Sequence, residues 1–245
     1  MRNLHLAFGG HYNPAERWWL ASRSYVTLAL AMTESLKHTG GKQFDMPMIA
    51  PLGLERLDAA LAKGKGIILI SSHFSTFGFA GTKLRELGYP YHVVSKRQES
   101  RVEEAFFVEM RRHADITFIY RDESSRALLR VLQSNKILNL FVDQTARETG
   151  GAWVNFFGQS FWTYDGAARL ARKTGATVMT ASIYRVGSKM QLRIGEPITW
   201  EYSDDKEVDA QRGTQAMVKA IEDEIRECPD HWAWMQKPWK HLGIK

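Results

Sequence analysis

Two hydrophobic periods alternate along this chain. Asn13-Pro14-Ala15-Glu16 places a cap residue, a proline at the first helical position and a glutamate three residues after the cap. Residues 17–37 follow without a breaker, which predicts a long helix. A second helical pattern covers 52–63 and stops at Gly64; the β-branched run 66–72 after it suits a strand buried on both faces. Helical patterns over 76–86, 101–113, 124–133 and 166–174 then interleave with strand-like runs at 91–95, 116–120, 137–142 and 177–184. A last strand-like run, 190–194, is joined by so short a connection that it should pair antiparallel, and 208–227 closes the pattern as a helix. This alternation predicts an α/β fold with a mostly parallel central sheet flanked by helices. Ligands bind such sheets beyond the carboxyl ends of the strands, so the residues just after Ser72, Ser95 and Val142 are the first places to look.

Composition narrows the class without changing the fold. The 245 residues are 44% hydrophobic and 24% charged, which is globular, and no repeat or linker divides them, so residues 1–245 read as one domain. The lone Cys228 excludes an internal disulfide and, beside an acidic helix, reads as structural. The apolar runs 25–32 and 67–70 fall far short of the ~18 residues a membrane span needs, and no signal-peptide pattern is recognisable. The chain is expected to be soluble or to lie on a membrane surface.

Charge adds a preference for partners. Residues 1–200 carry 26 basic and 17 acidic side chains, 201–230 reverse this with 4 and 10, and the last fifteen residues hold three lysines, giving a net +6. An anionic partner is implied: nucleic acid, an anionic membrane face or an acidic protein. The basic residues form neither a run nor a motif with stacking aromatics, so no nucleic acid is expected. Trp232, Trp234 and Trp239 alternate with Lys237, Lys240 and Lys245, and Trp18 and Trp19 lie on the first long helix. That pairing suits a membrane interface, with a packed aromatic core as the alternative.

Several chemistries are unsupported by motif. The first strand-to-helix junction reads Ser71-Ser72-His73-Phe74-Ser75-Thr76, without G-x-G-x-x-G, and no Walker-type Gly-Lys-Ser/Thr occurs. H-E-x-x-H, paired Cys/His spacings and G-x-S-x-G are absent too, so no metal or cofactor is expected. What remains is His73 at a strand end. The helix expected after it should hold the imidazole neutral near pH 7, a form able to act as a general base.

Four segments extend this reading: Gly66-Ile67-Ile68-Leu69-Ile70-Ser71-Ser72-His73-Phe74, Phe141-Val142-Asp143-Gln144, Trp153-Val154-Asn155-Phe156-Phe157-Gly158 in the loop that follows, and Pro229-Asp230-His231-Trp232-Ala233-Trp234-Met235. In this order they resemble the bacterial lipid A biosynthesis acyltransferases, the lauroyl and myristoyl transferases, over about residues 3–240. The resemblance implies a glycerolipid-acyltransferase-like fold. It implies an O-acyltransferase that moves a fatty acyl chain from acyl carrier protein or acyl-CoA to a hydroxyl of a lipid or glycolipid, with His73 as base and no cofactor. The alternatives are an acceptor such as a lysophospholipid or other membrane lipid, or a lipid-binding homologue with impaired catalysis. It also implies an anionic membrane surface as partner, at the cytoplasmic face of the bacterial inner membrane or with the protein soluble in the cytoplasm. The family's hydrophobic N-terminal anchor would precede the stretch matching residues 3–8; the domain is expected to lack it.

Family members carry Asp or Glu five positions after the histidine, to orient the imidazole. Here that position is Gly78. An engineered substitution, another carboxylate in the same role, or a lost activity would each account for it. His11 and Glu16 have the right spacing by accident, since no strand leads into His11 and Glu16 serves the helix cap. Asp143 is the alternative carboxylate, following a buried strand where the family has an aspartate; a turn or cap role is the other reading. Lys96 and Arg97, ending another strand, could hold an anionic headgroup or polarise a thioester carbonyl, or be solvated surface charges. Arg147, in the loop after Asp143, is a further candidate for substrate binding.

Overall fold

The computed structural model describes residues 1–39, 47–74, 78–98, 100–101, 104–105, 108–109, 116–121, 125–147 and 150–240. In chain order the elements are α1 (Arg2–Phe8), α2 (Pro14–Thr39), α3 (Leu54–Leu61), β1 (Ile67–Ser71), α4 (Gly78–Glu86), β2 (Tyr91–Ser95), β3 (Thr117–Tyr120), α5 (Ser125–Gln133) and β4 (Ile137–Phe141). They continue as β5 (Gly151–Phe156), β6 (Gln159–Tyr164), α6 (Gly166–Thr174), β7 (Thr177–Val186), β8 (Lys189–Ile194) and α7 (Lys206–Glu227). Most of the helix expected over 101–113 lies outside the described residues, as do Thr76, Ser124 and Lys245.

Six strands form one sheet in the order β3-β2-β4-β1-β7-β8. All pairings are parallel except β7 with β8, which the two-residue connection makes antiparallel as the sequence predicts. The mostly parallel α/β architecture is therefore the one expected. Every residue of β1 is buried, and its side chains alternate between two cores: Ile68 and Ile70 join the cluster with Leu132, Val178 and Trp232, while Ile67 and Leu69 join the cluster with Leu57, Leu84 and Met179. A strand covered on both faces favours apolar residues, hence Ile-Ile-Leu-Ile, and the buried Ser71 hydroxyl at its end lies within hydrogen-bond distance of Asn139 Oδ1 and Ala181 O. Gly66 enters this strand at φ 71°, and a Cβ there would meet Leu132 O at 2.7 Å, so glycine is required on both counts.

The cap at the start of α2 forms as its sequence indicates. Asn13 Oδ1 accepts from the backbone N–H groups of Ala15 and Glu16, and Glu16 Oε2 accepts from that of Asn13.

One expectation needs correction. Residues 153–158, read as loop, lie in the antiparallel hairpin β5–β6. Ala152, Val154 and Phe156 are buried while Trp153 and Asn155 are exposed, the period-two pattern of a half-buried strand. Phe157 and Gly158 make the turn, both at positive φ, as a two-residue hairpin connection demands. The strained Phe157 is held by burial and by its N–H donating to Glu222 on α7, against which β5 packs.

A second correction concerns the tryptophans near the C-terminus. Trp232, Trp234 and Trp239 are all buried in the core with Phe156 and Phe157, so they are not available to a membrane. Trp18 and Trp19, by contrast, are exposed on α2.

Candidate active site

The register of the sheet brings two of the singled-out residues together. β1 and β4 are adjacent and parallel, with Ser71 opposite Phe141. Two residues beyond each, on the same carboxyl edge, come His73 and Asp143. His73 Nδ1 lies 2.8 Å from Asp143 Oδ1, and the backbone N–H of His73 donates to Asp143 Oδ2 at 2.6 Å.

Asp143 is 1% exposed, and a carboxylate buried so deeply needs donors. It has three: the His73 ring, the His73 backbone and the indole N–H of Trp232, 2.9 Å from Oδ2. Burial would raise its pKa, but the charge of His73 and these hydrogen bonds outweigh burial and hold it below the ordinary carboxylate value. Burial likewise works against protonation of His73, yet the Asp143 charge and hydrogen bond win, and its pKa is raised above 6.5. This revises the expectation of an imidazole held neutral by a helix: the adjacent carboxylate dominates.

With its Nδ1 proton directed at Asp143, a neutral His73 ring carries its lone pair on Nε2. The side-chain amide of Gln144 stands 3.2 Å from that nitrogen and can donate to it. Phe141 flanks the imidazole, with ring centroids 4.6 Å apart. The arrangement could act as an oriented base, and among the described residues the Gln144 amide stands at its Nε2.

The segment after α7 closes the site from behind. Phe74 pairs with Trp232, and Ala233 N–H donates to His73 O. Trp232 O accepts in turn from the buried hydroxyl of Ser24 on α2. Trp232 and Gln144 were both within motifs quoted from the sequence, but neither carried a signal of its role: an indole donor to a carboxylate 89 residues away is legible only in three dimensions.

Gly78 is the first described residue of α4, and among the described residues a Cβ there would meet nothing within 4 Å. Lys96 and Arg97 are exposed just beyond β2, on the same sheet edge as the pair because β2 neighbours β4. The Arg97 guanidinium lies 3.7 Å over the Tyr120 ring. Arg147 is exposed, and its carbonyl accepts the indole N–H of Trp162. No group of three or more His, Cys, Asp or Glu suited to a metal occurs among the described residues.

Comparison with known proteins identifies the family. A model of the bacterial lipid A biosynthesis acyltransferase family matches residues 1–241. The chain belongs to that family. It is similar to a lipid A biosynthesis palmitoleoyltransferase of Escherichia coli K12, at 23% identity over 250 residues, covering 98% of this chain and 77% of that one. It is also similar to phosphatidylinositol mannoside acyltransferases of Mycobacterium tuberculosis H37Rv, at 25% over 191 residues, and of Mycolicibacterium smegmatis, at 24% over 203 residues. These matches cover 76% and 81% of this chain but 58% and 63% of the mycobacterial proteins. Gly78 carries no carboxylate, and Asp143 is the carboxylate hydrogen-bonded to His73. No helix among the described residues is long and apolar enough to cross a membrane.

Proposed function

We propose that this protein is an O-acyltransferase that moves a fatty acyl chain from a thioester donor, acyl carrier protein or acyl-CoA, to a hydroxyl of a lipid or glycolipid. The observation that carries this is the His73–Asp143 pair at the sheet edge. Membership of an acyltransferase family and similarity to enzymes named for lipid A and phosphatidylinositol mannoside acylation support the substrate class.

In this reading the acceptor hydroxyl takes the place of the Gln144 amide at His73 Nε2. His73 accepts its proton as the oxygen attacks the thioester carbonyl, while Asp143 stabilises the imidazolium that forms. The tetrahedral oxyanion collapses, the C–S bond breaks, and the departing sulfur takes the proton from His73, leaving an ester and a thiol. The displaced Gln144 amide and the cations Lys96, Arg97 and Arg147 are the groups proposed to receive the oxyanion or an anionic part of the substrates.

His73→Ala should abolish transfer from an acyl thioester to a lipid acceptor, with the acylated lipid followed by mass spectrometry. Undiminished transfer in that variant contradicts the mechanism. Lipid that copurifies with the wild type while no thioester is consumed would instead assign the protein a binding role.

A further inference from the structure

Thr163, on β6, is fully buried, and its hydroxyl meets two acceptors. Oγ1 stands 2.8 Å from Val142 O and 2.9 Å from Gln144 O. A hydroxyl carries one proton, and a single acceptor would satisfy it. The two carbonyls it meets here bracket Asp143-Gln144, the dipeptide whose side chains face both nitrogens of the His73 ring.

The ladder between β1 and β4 shows why a donor from elsewhere is needed. Val142 N–H donates to Ser71 O, and the next rung of a parallel ladder would carry His73 N–H to Val142 O. His73 N–H goes to Asp143 Oδ2 instead. The pairing with β1 therefore stops at the site, and Val142 O turns to Thr163. Beyond this point β6 takes over the support: Thr145 pairs with Thr163 as an antiparallel bridge, and Ala146 N–H donates to Trp162 O. The carbonyl of Val142 belongs to the peptide plane that enters Asp143, and that of Gln144 to the plane that leaves Gln144. Both planes are tied to one oxygen.

We propose that Thr163 is a positioning residue for acyl transfer, its hydroxyl holding the Asp143-Gln144 segment so that the carboxylate meets His73 Nδ1 while the amide meets Nε2. The proposal rests on the acyl-transfer reading and brings the hairpin β5–β6 into the site. Such a role demands a rigid support, since catalytic groups must be held to within about 0.5 Å and 10–20°. The hairpin has one: on α7, Gln215 exchanges two hydrogen bonds with the backbone of Asn155, and Gln211 donates to Trp153 O.

Thr163→Val keeps the shape of the side chain and removes the donor, whereas Thr163→Ser keeps the donor and removes a methyl. In the full chain carrying ¹⁵N-histidine, long-range proton–nitrogen spectra read the tautomer and titration of His73, assigned by comparison with His73→Ala. The neutral wild-type ring should carry its proton on Nδ1. In Thr163→Val the two tautomers should mix and the ring should titrate at lower pH, because Asp143, whose charge and hydrogen bond raise the His73 pKa, no longer stands squarely at Nδ1. With acyl transfer followed in parallel, kcat should fall about a hundredfold and KM stay within about twofold, the pattern of an orientation lost in the transition state. Thr163→Ser should keep kcat within about threefold of wild type. Thr163→Cys, whose thiol is a weak donor, gives the same reading if the valine variant does not fold. Thr214→Val removes another buried hydroxyl, one that bonds Ala210 O within α7, and should lower Tm without changing the His73 spectrum.

A wild type that consumes no thioester defeats the acyl-transfer reading, while tautomer mixing in Thr163→Val would still uphold the positioning of His73 by this hydroxyl. A folded Thr163→Val with the wild-type tautomer and titration overturns the proposal. So does mixing with undiminished kcat, or a Thr163→Ser as impaired as Thr163→Val.

Discussion

Asp143 grips His73 at two points, with Oδ1 2.8 Å from the ring Nδ1 and Oδ2 accepting the backbone N–H at 2.6 Å. The ring is thereby fixed to the end of its own strand. The carboxylate arrives from the neighbouring strand β4, in register, and not from the helix five residues further along. In the proposed reading Asp143 fills the Nδ1 position that an acid at residue 78 would otherwise serve.

Gly78→Glu should therefore change the rate of acyl transfer by no more than about twofold. Among the described residues a Cβ at this position meets nothing within 4 Å, and glutamate has a higher helix propensity than glycine, so stability should rise by about 0.5–1 kcal/mol. Turnover and thermal melting on the same preparation check both halves. A large gain in rate would mean that Asp143 does not do the work of the missing acid.

Trp232→Phe keeps an aromatic ring in the core but removes one of the three donors to a buried carboxylate. The expected cost is about 2 kcal/mol in denaturant unfolding, the range for a hydrogen bond to a buried charge. Transfer should weaken as well, because the Asp143 carboxylate loses one of the two donors that hold Oδ2. Loss of stability without any loss of rate would assign the indole to packing alone.

A separate pH effect comes from Glu224, on α7. Burial pushes its carboxyl up to about 7, against hydrogen bonds from Thr180 and Ser182. Between its ordinary value of 4.5 and about 7 the folded protein holds this proton more tightly than the unfolded chain, so stability falls as pH rises through that interval. Glu224→Gln should leave Tm nearly unchanged at pH 4.5 and raise it at pH 8. Calorimetry at the two pH values reads the difference directly.

Much of this was legible in the chain. The Ile-Ile-Leu-Ile run, the helix punctuation by glycine and the short link before Lys189 give the parallel sheet and its antiparallel edge, because a strand buried on both faces admits few other sequences. His73 and Asp143 could each be singled out as strand-end residues. Their pairing was one of two readings open for Asp143, and sequence could not decide it, since the contact depends on β1 and β4 being neighbours although α4, β2, β3 and α5 intervene. The hairpin of β5 and β6 went unread because aromatic residues on both faces of residues 153–162 obscure its alternation. The buried Trp232, Trp234 and Trp239 show why a tryptophan beside lysines is ambiguous: the same residue type serves a core and a membrane boundary, and only burial separates them.

The pH dependence of transfer in Asp143→Asn tests the central claim most directly. In the wild type the acid limb of kcat/KM should lie above the ordinary imidazole value of 6.5, since Asp143 raises the basicity of His73 and the base works only when neutral. In Asp143→Asn the limb should move to lower pH, while the plateau rate falls by about 10⁴, the scale on which triads lose rate when the orienting carboxylate becomes an amide. A variant that retains the wild-type rate and the wild-type limb would contradict the account.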